Sequence, residues 1–135
     1  MKKMLIVEDD IVSQKYLRLL FHKDYEIVIC ESSEEYDLNY SQTEFDIIMM
    51  DISLKGSKSG LDLIKEIRAD SVSYTPIICF TANARADTKK MAIEFGTDLF
   101  IAKPMDNDLL KDAVSSLVSN ICAYSIFKTL LNLPV

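Results

Sequence analysis

Apolar residues along this chain gather into five short runs, Met4–Val7, Glu26–Cys30, Phe45–Met50, Pro76–Phe80 and Leu99–Ile101. Several are apolar throughout and do not alternate, the pattern of strands covered on both faces of a parallel sheet. Between the runs, apolar positions recur at helical spacing: Val12, Tyr16 and Leu20, then Leu61, Ile64 and Ile67, then Leu110, Ala113, Leu117 and Ile121. Ser32-Ser33-Glu34-Glu35 offers a Ser-x-x-Glu capping box for the second helix. Asp10 is placed to cap the first, and Gly60 and Gly96 mark turns. Strand then helix, five times over, predicts an α/β fold: a five-stranded parallel sheet, doubly wound with helices on both faces. In such a (βα)5 arrangement the functional crevice lies at the carboxyl ends of the strands.

Composition narrows the picture without changing it. A chain of 135 residues, 49% hydrophobic and 27% charged with three Gly and three Pro, is an ordered domain and not a disordered or repetitive one. The formal net charge is −6 and the Lys and Arg residues are scattered, so direct binding to nucleic acid is not expected. Cys30, Cys79 and Cys122 form no CxxC pair and read as reduced, buried thiols. The first apolar run meets Glu8 too early for a signal peptide. The stretch 114–135 is interrupted by Ser115, Ser116, Ser119, Asn120, Ser125, Lys128 and Asn132, which argues against a membrane span. A cytoplasmic location is expected, with Met1 more natural for a whole protein or the front of a longer one than for its rear.

The polar residues that close the strands carry the candidate chemistry. The first strand runs into Glu8-Asp9-Asp10, the third into Asp51, the fourth into Thr81 and the fifth into Lys103-Pro104. Acids converging on one crevice repel and raise one another's pKa unless a cation joins them, and oxygen-only ligands favour a hard ion such as Mg2+. A Lys and a hydroxyl facing the same place suit three phosphoryl oxygens better than a carbonyl substrate. A carboxylate nucleophile, a metal, a Lys and a hydroxyl are sufficient for phosphoryl transfer, in which a protein mostly positions groups and neutralises charge. A Pro after the Lys permits a cis peptide bond at a cost of about 0.5–1 kcal/mol. The chemistry expected here is an aspartyl phosphate.

Four segments, Leu5-Ile6-Val7-Glu8-Asp9-Asp10, Asp46-Ile47-Ile48-Met49-Met50-Asp51-Ile52, Phe80-Thr81-Ala82 and Ile101-Ala102-Lys103-Pro104, closely resemble the receiver domains of two-component response regulators. The resemblance covers about residues 3 to 118. It implies the flavodoxin-like receiver fold over 1–118, followed by an extension of the last helix or an apolar tail over 119–135. It further implies that Asp51 is the phosphoacceptor and that Asp9 is a direct Mg2+ ligand. Glu8 would hold the metal mainly through water, and the Ser53 backbone carbonyl would be a further ligand. Lys103 would pair with the phosphoryl group, and Thr81 and Phe100 would be the switch residues. The implied donor is a sensor histidine kinase or phosphotransfer protein, and the implied partner face is the fourth helix, fifth strand and fifth helix; the downstream partner or output domain is not named by the sequence.

Two segments depart from the common family pattern. The loop after the acceptor reads Ile52-Ser53-Leu54-Lys55-Gly56-Ser57-Lys58-Ser59-Gly60, the longer variant with an early Gly, so Lys55 and Lys58 bear on which donor docks. The tail from Ser119 carries Ile121, Cys122, Tyr124, Ile126, Phe127, Leu130, Leu131 and Leu133, too short for an output domain and suited either to a homodimer contact or to folding back. Two other functions compete. A phosphorylation-independent interaction module would be marked by a missing acid, Thr or Lys, and none is missing. An aspartyl-phosphate hydrolase would need a general acid near the nucleophile, and Ser53, two residues on, cannot serve. No turnover of an external substrate is expected, only assistance to the chain's own phosphorylation and dephosphorylation. His22 reads as a lone surface histidine.

Overall fold

The computed structural model describes residues 1–70 and 74–131, with side chains described as far as Ser119. Its elements run β1 (Lys2–Val7), α1 (Ile11–Phe21), β2 (Tyr25–Cys30), α2 (Ser33–Glu35), β3 (Ile47–Met50), α3 (Gly60–Asp70), β4 (Ile77–Thr81), α4 (Ala86–Glu94), β5 (Leu99–Ala102) and α5 (Asn107–Leu131). Each predicted strand is present within two residues of its expected start. All neighbouring strands pair in parallel in the order β2-β1-β3-β4-β5. This is the expected doubly wound sheet, with the chain reversing its direction of travel after β2, so that β1 and β3 lie side by side.

Alternate strand residues feed two separate cores, one on each face, as the period of two requires. Met4, Ile6, Ile47, Met49, Ile78 and Phe80 pack on one face against Leu17 and Phe21 of α1 and Leu110, Val114 and Val118 of α5. Leu5, Val7, Ile48, Met50, Ile77 and Cys79 pack on the other against Leu63, Ile64 and Ile67 of α3 and Ala92 of α4. Central strands buried on both sides explain why their sequences are apolar throughout. Cys30 and Cys79 are free and buried, as expected; Cys122 lies outside the described side chains.

Two local expectations need correction. Val12 was placed with Tyr16 and Leu20 on the inward face of α1, yet it is 75% exposed, and the buried positions are Leu17 and Phe21. At 3.6 residues per turn Val12 lies about 140° around the helix from Leu17, so the inward stripe is centred on Leu17 and Phe21, Leu20 and Tyr16 flank it on one side, and Val12 lies beyond them, outside. The second helix does begin at its predicted cap, where the Ser32 hydroxyl accepts the Glu35 N–H at 3.1 Å. Glu35 returns the bond to the Glu31 N–H at 3.0 Å, one residue before the cap, and the chain then widens into a π-helical turn over Tyr36–Tyr40. The backbone of α5 continues through Leu131, whereas the choice between a dimer contact and folding back for 119–135 lies outside the described side chains.

The far end of the sheet is tied by Arg68 at the end of α3. Its guanidinium donates to the Gly96 carbonyl (2.9 Å), the Thr75 carbonyl (2.6 Å) and Asp98 Oδ2 (2.8 Å), and Asp98 Oδ2 also accepts the Ile77 N–H. One planar fork thereby joins α3, the start of β4 and the turn before β5. Among the described residues no helix is long and apolar enough to cross a membrane.

Candidate functional site

Strand register decides which residues meet. Val7 pairs with Met50 and Thr81 with Ala102, so Glu8, Asp51, Thr81 and Lys103 arrive together at the carboxyl edge. Backbone bonds fix them there: Glu8 N–H to the Cys30 carbonyl, Asp51 N–H to the Val7 carbonyl and Lys103 N–H to the Thr81 carbonyl, each at 2.9 Å. The Lys103–Pro104 peptide bond is cis.

Asp51 is the hub. Its Oδ1 accepts the Thr81 hydroxyl at 3.0 Å and the Ser53 amide at 2.9 Å, and its Oδ2 faces the Lys103 ammonium at 3.3 Å. Lys103 also donates to Glu8 Oε1 at 2.9 Å and approaches Ser13 Oγ at 3.3 Å. Thr81 is fully buried, and its hydroxyl accepts the Asn83 amide while donating to Asp51. Gln14 at the start of α1 donates to the Glu8 carbonyl at 2.7 Å, and Asp10 caps the same helix by accepting the Ser13 N–H, as expected.

Electrostatics separates the two neighbouring carboxyls. Glu8 is 2% exposed, and burial pushes its pKa up to about 7, with the adjacent Asp51 adding to the rise and Lys103 opposing it. Burial would also raise Asp51, but the neighbouring Glu8, the Ser53 amide, the Lys103 charge and the Thr81 hydroxyl bring its carboxyl below the ordinary range. Burial would lower Lys103, yet its bonds to Glu8 and Asp51 hold its ammonium above the usual value. Of the two acids, therefore, Asp51 is the one whose surroundings favour the carboxylate form.

The third acid is placed differently from the sequence expectation of a converged cluster. Asp9 Oδ2 accepts the Lys55 N–H at 3.0 Å, within the loop between β3 and α3. Among the described residues no three His, Cys, Asp or Glu side chains stand close enough to hold a metal ion. The donors divide accordingly: Glu8 and Asp51 share Lys103, while Asp9 takes a backbone amide of the loop. The donor set nevertheless suits a hard cation, being oxygen throughout, and Glu8 Oε2 is buried with no hydrogen-bond partner.

Phe100 is not brought to this cluster. In β5 it pairs with Cys79 of β4 and is half-buried against the core on the α3 and α4 side. Several supporting residues escaped the sequence reading. Ser13 and Gln14 had no signal beyond their place after a helix cap. Gly60 was seen only as a turn, yet a Cβ there would stand 2.4 Å from the Asp51 carbonyl oxygen and 2.5 Å from Ile52 Cα. The absence of a side chain lets α3 begin directly against the backbone of Asp51 and Ile52.

Comparisons with known proteins agree with this geometry. The family model of the response regulator receiver domain matches residues 4–115. The hybrid signal transduction histidine kinase I of Dictyostelium discoideum is 30% identical over 132 residues, covering 91% of this chain and 7% of that protein. A response regulator from Burkholderia pseudomallei, solved with a phosphorylated aspartic acid, calcium ion and citrate, is 26% identical, with a TM-score of 0.73 over 100% of this chain and 76% of that one. The receiver domain of a sensor histidine kinase from Pseudomonas aeruginosa, solved with magnesium in its active site cleft, is 24% identical, with a TM-score of 0.78 over 87% of this chain and 98% of that one. The chain spans about half or less of the length of the curated relatives it matches, such as 52% of a Helicobacter pylori transcriptional regulator. A match across residues 4–115, borne on a sheet whose carboxyl edge collects the strand-end groups, leaves one assignment: the chain belongs to the response regulator receiver domains, the signalling modules of two-component phosphorelays.

Proposed function

We propose that Asp51 accepts a phosphoryl group from the phosphohistidine of a sensor histidine kinase or phosphotransfer protein. The observation that carries this reading is the Asp51 carboxyl group held at once by the Thr81 hydroxyl, the Ser53 amide and the Lys103 ammonium. A carboxylate oxygen attacks phosphorus, the phosphorus–nitrogen bond breaks, and the imidazole leaves with its electron pair. Lys103 moves its charge from the carboxylates to the incoming phosphoryl oxygens, and Thr81 gives its hydroxyl to the same group. A donor change of that kind is what turns a chemical event into a change of surface.

Glu8, Asp9, Asp51 and the Ser53 carbonyl are the groups that would hold Mg2+. A bound Mg2+ supplies charge neutralisation for the phosphoryl oxygens. The calcium and magnesium in the Burkholderia and Pseudomonas structures support a divalent ion at this edge. Phe100, at the outer edge of the sheet, is the aromatic proposed to carry the change to the face formed by α4, β5 and α5. That face would meet an output domain or separate partner, and 119–135 would add a homodimer contact. The chain acts as a switch that assists its own phosphorylation and dephosphorylation, in the cytoplasm.

Intact-mass analysis after incubation with acetyl phosphate and Mg2+ tests this reading. One phosphoryl addition of about 80 Da is expected, lost in Asp51→Asn and in metal-free buffer. No addition to a folded wild-type chain under any phosphodonor overturns it.

A further inference from the structure

We propose that Glu34, remote in sequence from every strand-end group, is a positioning residue for the cation site, stapling the loop between β3 and α3 to α2 so that the Lys55 amide orients Asp9. The inference rests on the reading of Glu8, Asp9, Asp51 and Ser53 as cation ligands.

The staple is visible at both ends. Glu34 Oε1 accepts the Ser57 amide at 2.7 Å and the Ser57 hydroxyl at 2.6 Å. Gly56 beside it has φ +117°, a backbone conformation that favours glycine, and its position lies so close to the staple that a Cβ there would stand 2.7 Å from Glu34 Oε2. Lys58 reaches back to Asp37 at 2.6 Å, below α2, and to Glu66 of α3 at 2.9 Å. Two residues before Ser57, the Lys55 N–H donates to Asp9 Oδ2 at 3.0 Å. Contacts therefore run unbroken from α2 through Ser57, Gly56 and Lys55 to the acid that follows Glu8.

The physical consequence is preorganisation. Carboxylates that hold metals are themselves hydrogen-bonded, which fixes the orientation of the ligand oxygen. The same loop begins with Ser53, the expected carbonyl ligand. Anchoring the loop to α2 orders it before a cation arrives, so less ordering entropy opposes binding. The two Ser57 donors also hold the Glu34 carboxyl down to about 2, so the anchor stays charged throughout the range in which the site would operate.

The test is titration of the full chain with MgCl2 by calorimetry, for wild type, Glu34→Ala, Glu34→Gln and Asp9→Asn, with amide exchange followed at Lys55 and Ser57. Glu34→Ala is expected to weaken Mg2+ about tenfold, the scale on which outer supports of a ligand act. It should speed exchange at both amides while leaving β1 and β3 protected. Glu34→Gln, which keeps an acceptor for the Ser57 amide, recovers part of the affinity. Wild-type affinity in Glu34→Ala overturns the proposal and leaves the cation reading standing, whereas affinity undiminished in Asp9→Asn overturns it from the other end. A wild-type chain that binds no Mg2+ removes the cation reading and the staple's role together. Should Glu34→Ala unfold, Ser57→Ala, which deletes only the hydroxyl donor, must show a smaller loss, and an unchanged affinity there is equally decisive.

Discussion

At the scale of single residues, Asp51 is set as much by what is missing beside it as by what touches it. Thr81, Ser53 and Lys103 point donors at Asp51, while Gly60 contributes an absent side chain. Gly60→Ala forces either the start of α3 or the Asp51 peptide to move, because both atoms that a Cβ meets belong to backbone. Overpacking of this kind costs about 1–3 kcal/mol. The expected result in urea unfolding is a lower midpoint with an unchanged slope, together with slower labelling by acetyl phosphate. Wild-type stability and labelling would show that the helix start yields freely.

Elements carry a different lesson, best seen in α1 and α2. The inward stripe of α1 is set by Leu17 and Phe21, while Val12 faces outward. Leu17→Ala should therefore cost about 2–5 kcal/mol by leaving a cavity, whereas Val12→Ser should stay within about 0.5 kcal/mol of wild type. Equal losses at the two positions, measured by denaturant unfolding, would mean the helix is rotated from the phase seen here. In α2 the Glu34–Ser57 staple gives a pH signature. Its carboxyl is lowered from 4.5 to about 2 by bonds to Ser57, so the folded chain binds fewer protons there than the unfolded chain between those values. Stability from this group is present above about 4.5 and is lost as pH falls through about 2. The gap in melting temperature between wild type and Glu34→Gln should thus narrow steadily on acidification over that interval. A gap independent of pH would assign the effect to shape and not to charge.

For the molecule as a whole, the folded sheet is the only state in which Glu8, Asp51, Thr81 and Lys103 are neighbours, since up to 95 residues separate them along the chain. A cation that binds this edge binds only the folded protein, and at a hundredfold excess over Kd it should stabilise by about 2.7 kcal/mol. Mg2+ is expected to raise the melting temperature, a chelator to reverse the rise, and Asp9→Asn or Asp51→Asn to diminish it. A melting temperature indifferent to Mg2+ in wild type would count against the ligand assignment. The net charge of −6 adds a general attraction for cations, so the two variants, and not the size of the rise alone, separate a specific site from screening.

What the sequence by itself determined was everything governed by local periodicity and by position at a strand end. Five apolar runs specified five strands, the central ones buried on both faces, and because parallel strands all point one way, the polar residue closing each run had to emerge on the same edge. Hence Glu8, Asp51, Thr81 and Lys103 were legible as one site before any contact was known, and Asp10 and Ser32 as caps. Only the tertiary structure decided how the groups partner. Register placed Lys103 between Glu8 and Asp51, the loop took Asp9 onto the Lys55 amide, and packing turned Val12 outward. Gly60, Glu34 and Arg68 acquire their roles from neighbours 9, 23 and 30 residues away. Periodicity records which side of an element is apolar, but the partner of a polar group depends on distances across the fold, which no local pattern encodes.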